Sequence, residues 1–358
     1  MFDIITIGTA TKDVFLRSPF FKILKDPEHL KKIGFPSGEA QCFALGGKVE
    51  VDEPVFMTGG GATNTAVTFS RQGFKTAALI KIGEDDSGEE ILSELEKEGI
   101  KIFAVKDKKI PTGYDTILLS SGGERTILVY RGAGDSWDIK DIPLRKLKAR
   151  WAYIVPGNIP FDVVEYLIGY LSERGVSIAI NPSKKLIQKG LSGLKNILSK
   201  SQVVILNREE ASYLTGADYG DKKKIFSVLD EAVKGIIVMT DGANGLEISD
   251  GFKIYEAGIF KEREVVDRTG AGDAFGSGFV AGLIKRLKDC KISKLQNSDG
   301  GKSAICGQQL AIEYAIRLGS ANATSVIEKI GAKPGILTKT EFEEDERWKN
   351  LLIREKTV

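Results

Sequence analysis

Short apolar runs alternate along the chain with stretches in which apolar residues recur every three or four positions. Ile4–Ile7, Thr76–Ile82 (ending at Gly83), Ala152–Val155, Ser177–Ile180, Val203–Leu206 and Gly235–Met239 read as strands. Phe161–Arg174, Ile187–Ser199 and Asp221–Lys234 carry helical spacing between them. This order predicts an α/β fold: a three-layer, doubly wound, mostly parallel sheet with helices on both faces. In such sheets ligands bind beyond the carboxyl ends of the strands, where the loops gather.

Two regions break the rhythm. Ser18–Phe56 holds a long excursion to Gly38, then Gln41–Leu45 and Lys48–Phe56 around Gly46-Gly47, which read as a hairpin. Tyr114–Ser120 and Arg125–Tyr130, flanking Ser121-Gly122-Gly123-Glu124, predict a second hairpin. Strands from about 14–56 and 112–130 would pair into a small β sheet beside the main domain, serving as a lid or a dimer surface. The expected organisation is one domain over 1–340 and a helical tail over 341–358. Lys253–Val266 reads as a further strand, and Lys285–Ser303 as an exposed loop between two helices.

Composition narrows the function classes. The chain has 358 residues, 42% of them hydrophobic and 28% charged, with a net charge of +2. That balance gives no reason to expect nucleic acid or a membrane as partner. The sequence opens on a strand without a basic, signal-like start, and Cys42, Cys290 and Cys306 are scattered, so a reduced cytoplasmic setting is expected. His29 is the only histidine and lies in a polar segment. Histidine-clustered metal sites are thereby excluded, and a general base is expected to be a carboxylate.

One candidate is conspicuous. In Asp267-Arg268-Thr269-Gly270-Ala271-Gly272-Asp273, small residues precede a helical run from Ala274 to Leu287. The N–H groups of Gly270, Ala271 and Gly272 would cluster at a helix N-terminus, where unpaired donors and the macrodipole attract an anion. Asp273 stands in the first turn beside them. Donors that hold a phosphate, next to a carboxylate that takes a hydroxyl proton, suit phosphoryl transfer. Dipole stabilisation and tight packing alone are the plainer reading of the same residues. A dinucleotide fingerprint is ruled out because Phe275 stands where its third glycine belongs. Gly301-Lys302-Ser303 fails P-loop spacing, with Gln296 five residues before Gly301.

A second glycine run, Gly59-Gly60-Gly61-Ala62-Thr63-Asn64, precedes a helix that Gly73 stops. This run, with Ala66, Gly73 and Gly83, resembles the N-terminal signature of the ribokinase-like (PfkB) carbohydrate kinases, and Asp267–Val280 resembles their C-terminal signature. Asn207-Arg208-Glu209-Glu210 is similar to the family's Asn-x-x-Glu motif, Thr240–Gly245 to its nucleotide-side turn, and Gly8–Asp13 to its first-strand element. The likeness spans about Phe2 to Gly335.

The resemblance implies ATP-dependent phosphorylation of a primary hydroxyl of a sugar. The alternatives are a nucleoside (adenosine-type) kinase and a non-catalytic sugar- or nucleotide-binding regulator. It implies Asp273 as base and Gly270, Ala271 and Gly272 as anion hole, with Asp13, Gly60, Gly61 and Asn64 lining the acceptor. Asn207, Thr240, Gly242, Gly245 and Asn322 would serve the nucleotide, Glu210 would hold Mg²⁺ through water, and Asp267 a monovalent cation such as K⁺. A homodimer through the β lid is a further expectation. Asn207 and Asp13 each have a plainer reading as a helix cap or turn residue. The chain departs from the family pattern at Arg268, at Gly132-Ala133-Gly134, and in the length of Ser18–Gly38.

Overall fold

The computed structural model describes residues 1–35, 38–120, 125–294 and 302–357, with side chains except at 288–294, 302–308 and 357. Its strands in chain order are β1 (Phe2–Gly8), β2 (Thr11–Arg17), β3 (Lys22–Lys25), β4 (Glu39–Cys42), β5 (Val55–Gly59), β6 (Thr76–Gly83), β7 (Lys101–Asp107) and β8 (Gly113–Leu119). They continue as β9 (Arg125–Tyr130), β10 (Ala149–Val155), β11 (Ser177–Ile180), β12 (Ser201–Asn207), β13 (Ile236–Thr240), β14 (Leu246–Ser249), β15 (Lys253–Ala257) and β16 (Ile353–Thr357).

A 10-stranded sheet runs β16-β15-β14-β13-β12-β11-β10-β1-β6-β7. From β7 to β13 neighbours are parallel; β14, β15 and β16 extend the sheet antiparallel. The chain moves outward from β1 to β6 and β7, then returns to the other side of β1 as β10. The strand order therefore reverses between β1 and β10, which opens a crevice at their carboxyl ends.

Alternating side chains give the sheet two apolar faces. Ile5, Ile7, Ala152, Ile154, Val204 and Leu206 pack under Val163, Val164, Leu167 and Ile168 of the helix Phe161–Ser172 and the helices that follow it. Ile4, Tyr153, Val203, Ile205 and Val238 pack against Phe279, Val280, Ile312 and Ile316 of the two long helices Ala271–Lys294 and Lys302–Ile327. The fold is thus the three-layer arrangement expected from the pattern.

A second, 4-stranded sheet, β5-β2-β8-β9, stands at one end. It draws on the stretches that interrupted the α/β order and is seated on a cluster of Phe15, Ile117 and Leu119. β8 and β9 form the expected hairpin; its turn, 121–124, lies outside the described residues.

Four expectations are corrected. The hairpin around Gly46-Gly47 does not form: β4 pairs with β3, and β5 begins only at Val55 to pair with β2. Residues 48–54 alternate no buried face and end in Pro54, which donates no ladder hydrogen bond. The strand foreseen over Lys253–Val266 stops at Ala257, before Gly258. The loop foreseen at Lys285–Ser303 is helical to Lys294 and again from Lys302, and 295–301 lie outside the described residues. The tail is helical only at Lys339–Glu344 and Glu346–Trp348; it then forms β16 against β15, aided by the Lys356–Glu256 and Lys253–Glu355 ion pairs. An open antiparallel edge offers ladder partners that outweigh local propensity.

Candidate active site

The turn before the helix Ala271–Lys294 is fixed from beneath. Asp267 is fully buried; its Oδ1 accepts from the Thr269 N–H at 2.9 Å and the Thr269 hydroxyl at 2.7 Å. Its Oδ2 accepts from the Gly331 N–H at 3.0 Å. Gly270 adopts φ +77°, and a Cβ there would strike Ala332, so only glycine fits. Among the described residues nothing accepts from the N–H of Gly270, Gly272 or Asp273, whereas the Ala271 N–H points weakly at Arg268 O, 3.4 Å away. Free donors at a helix N-terminus are the elements of an anion site.

Two cavities meet at this turn. The smaller, about 140 Å³, is lined by Thr9, Thr11, Asp13, Gly60, Asn64, Asp115, Arg131, Gly134 and Asp135, and by Thr269, Gly270 and Asp273 of the turn. The larger, about 380 Å³, is bounded by Thr240, Gly242, Gly245, Arg268, Ala271, Gly272 and Phe275, with apolar walls from Leu246, Ile259, Val265 and Ile327. One face of the turn is thus polar and acidic, the other fit for a flat apolar group.

Asp273 faces the small cavity. Burial pushes its carboxyl above the usual range, opposed by a 2.9 Å hydrogen bond from Asn64 Nδ2 to its Oδ2. A carboxylate whose proton affinity is raised by burial, oriented by one donor, suits a general base. Asn64 Oδ1 is buried and has no partner among the described residues. Asp13, at the start of the small sheet, is 6% exposed and accepts from Thr11 Oγ1 at 2.7 Å. Burial raises its pKa to about 6 despite that hydrogen bond. Gly59 makes room for it: a Cβ at Gly59 would strike the Asp13 carboxylate.

The remaining expected residues divide. Gly60, at φ +96° against Thr9 O, lines the small cavity. Gly61 does not: its N–H donates to Thr9 Oγ1 at 2.9 Å, and a Cβ there would strike Val155. Its role is close packing of helix against strand. Asn207 and Glu210 form a reciprocal capping box, Asn207 Oδ1 accepting from the Glu210 N–H at 2.8 Å and Glu210 Oε2 from the Asn207 N–H at 2.9 Å. Asn207 pairs in register with Thr240, which puts the box beside the larger cavity rather than in its wall. Asn322 is fully buried: it donates to Ala274 O at 2.9 Å and to Thr68 Oγ1 at 3.2 Å, and accepts from the Leu337 N–H at 2.9 Å. A base-side contact is closed to it, because its amide already ties three elements together. Its neighbours Ser320, Ala323 and Thr324 take that wall instead.

Sequence reasoning missed Asp115, Arg131 and Asp135 in the small cavity and Arg125 in the larger. A signal for Asp115 existed: it shares an alternating face with Ile117 and Leu119, where an apolar residue is the rule. His29 is exposed, bonded to Asp26, and lines neither cavity.

A model of the pfkB family of carbohydrate kinases matches residues 35–339. The chain belongs to that family. Among similar proteins, a sugar kinase of Archaeoglobus fulgidus is 26% identical over 75% of this chain and 97% of its own length. A cytidine kinase of Thermococcus kodakarensis is 30% identical over 68% of this chain and 90% of its own. The fold matches an Arabidopsis thaliana ribokinase solved with ribose and ATP, at TM-score 0.70 and 18% identity, covering 97% of this chain and 98% of that one. This pfkB kinase accordingly transfers a phosphoryl group to a hydroxyl of a sugar or nucleoside. Among the described residues no helix is long and apolar enough to cross a membrane.

Proposed function

We propose that this pfkB kinase transfers the γ-phosphate of ATP to the primary hydroxyl of a monosaccharide. The observation that carries this is the shared wall: Thr269, Gly270 and Asp273 face the small polar cavity while Arg268, Ala271 and Gly272 face the larger apolar one. The sugar occupies the first, the adenine the second, and the γ-phosphate lies against the N–H groups of Gly270 and Gly272. The hydroxyl oxygen bonds to the γ-phosphorus as the bond to the β–γ bridging oxygen breaks. Asp273 takes the hydroxyl proton and ADP leaves with the bonding electron pair.

The residues present also suit Mg²⁺. No cluster of three or more His, Cys, Asp or Glu side chains that could hold a metal ion occurs among the described residues. Mg²⁺ favours substrate phosphates and retained waters with one or two carboxylates, and Glu210, in the capping box beside the larger cavity, would hold it through water. When bound, the ion supplies neutralisation of phosphate charge.

A sugar is favoured over a nucleoside by size and lining. The cavity of about 140 Å³ equals roughly five water volumes, and among the described residues no aromatic side chain lines it to stack on a base. A coupled ADP-release panel of pentoses, hexoses and nucleosides should give turnover with a free sugar and at least about tenfold lower kcat/KM with any nucleoside, since one misfitting group costs roughly 1–3 kcal/mol. A nucleoside as best substrate would reverse this reading, and binding without turnover across the panel would favour a regulator.

The exposed edge of the small sheet supports a homodimer. Ile127, Leu128, Val129 and Tyr130 of β9 are 37–57% exposed, and Phe56 lies in one cross-sheet row with Val14, Thr116 and Leu128. Bare apolar edge strands invite pairing with a second copy. Light scattering on the eluted protein should give twice the chain mass, and Leu128→Lys should give the monomer; a monomeric wild type would sink the idea.

A further inference from the structure

The small cavity carries a charge pattern that bears on its substrate. β2 and β8 run parallel with Asp13 and Asp115 directly in register, so both side chains project from one row on one face of the small sheet. Both line the cavity, joined there by Asp135 and Asp273, with Arg131 the one basic residue in its wall among the described residues. Burial raises Asp115, like Asp13, to about 6, with Arg131 pulling the other way.

Hydrogen-bonding capacity is equally one-sided. Among the described residues Asp115 Oδ1 and Asn64 Oδ1 are buried in this wall without a partner, and both are acceptors. A buried acceptor left unpaired is destabilising unless a ligand supplies the donor. The occupant therefore brings N–H or O–H groups. A phosphoryl group replaces a hydroxyl donor with acceptors at neutral pH, and adds negative charge to a wall holding, among the described residues, four carboxylates against one guanidinium.

We propose that Asp115 is a second specificity-determining residue, paired across strands with Asp13, and that the pair selects an unphosphorylated, hydroxyl-rich acceptor and rejects a sugar already carrying a phosphate. This rests on the kinase reading and adds to it the class of acceptor. Adjacent hydroxyls of the sugar donate to the two carboxylates, while the hydroxyl to be phosphorylated points at Asp273.

The experiment compares ADP release with D-fructose against D-fructose 6-phosphate, and D-ribose against D-ribose 1-phosphate, each pair keeping a free primary hydroxyl. If the panel finds another sugar, it is compared with its own monophosphate. Wild type should favour the free sugar by on the order of 100-fold or more in kcat/KM, because like-charge juxtaposition costs several kcal/mol. Asp115→Asn should raise the KM for the sugar about 10- to 100-fold, the value of a hydrogen bond to a charged group, and shrink the discrimination against the phosphate. The KM for ATP should stay within a few-fold, a split that general misfolding does not produce. Equal or better turnover of the phosphorylated acceptor by wild type would overturn this inference and leave the kinase reading standing. So would an Asp115→Asn enzyme with an unchanged sugar KM and unchanged discrimination. Absence of acceptor-dependent ADP with every compound would overturn both.

Discussion

Asp273→Asn lowers kcat by about 10²–10⁴-fold, the usual contribution of a positioned general base. The substitution is nearly isosteric. An amide oxygen at this position still accepts from Asn64 Nδ2, which now meets the carboxylate at 2.9 Å, so the orientation of both side chains survives. What is lost is the ability to take a proton. Because base function belongs to the transition state alone, the KM values for sugar and ATP should move only a few-fold. Single-turnover ADP formation with the best sugar checks this directly. An Asp273→Asn enzyme that kept full acceptor-dependent ADP production would remove Asp273 from the chemistry altogether.

Asp13→Asn moves stability and activity in opposite directions. The Asp13 pKa rises from 3.8 to about 6 in the folded protein, mainly through burial. A carboxyl with a raised folded pKa favours the folded state when protonated. Its destabilising effect is therefore absent below about pH 3.8, grows as pH rises toward 6, and is complete above that. The gap corresponds to roughly 2–3 kcal/mol at neutral pH, an upper figure for what neutral Asn recovers. Asn retains an acceptor for Thr11 Oγ1 and ends the repulsion from Asp115. The variant should melt higher than wild type at pH 7.5 and no higher at pH 4, by calorimetry. At the same time the sugar KM should rise about 10- to 100-fold through loss of a charged acceptor. A variant less stable at pH 7.5 would mean that the carboxylate is not strained by its burial.

A trade of this kind explains why the site was only partly legible. The parallel sheet was readable because strands buried on both faces leave short apolar runs, such as Ile4–Ile7 and Val203–Leu206, that need no tertiary context. The turn was readable as a candidate anion site because such a site is a property of backbone and helix end, and Gly270 and Asp273 lie three residues apart in one turn. Asp115 was not, since what matters is its register with Asp13 across two strands 102 residues apart. Gly61 and Asn322 misled for the opposite reason. Each sits in or beside a site motif yet serves packing, Gly61 against Val155 and Asn322 among Thr68, Ala274 and Leu337. The last strand was hidden too: Ile353–Thr357 has a face to bury only because β15 offers an open edge.

The connections between the two sheets carry a mechanical consequence. The chain crosses between the β1–β10 end of the large sheet and the small one at Thr9-Ala10, at Gly60, near Thr112, and at Arg131–Gly134. Thr9, Ala10, Gly60, Arg131 and Gly134 are also walls of the small cavity. The joints of the small sheet and the seat for a ligand of the small cavity therefore share residues. A tight occupant of that seat acts as a wedge in the joint, so a non-reacting sugar analogue would stiffen the whole small sheet, β9 edge included. An inhibitor aimed there would reach the β9 edge without touching it.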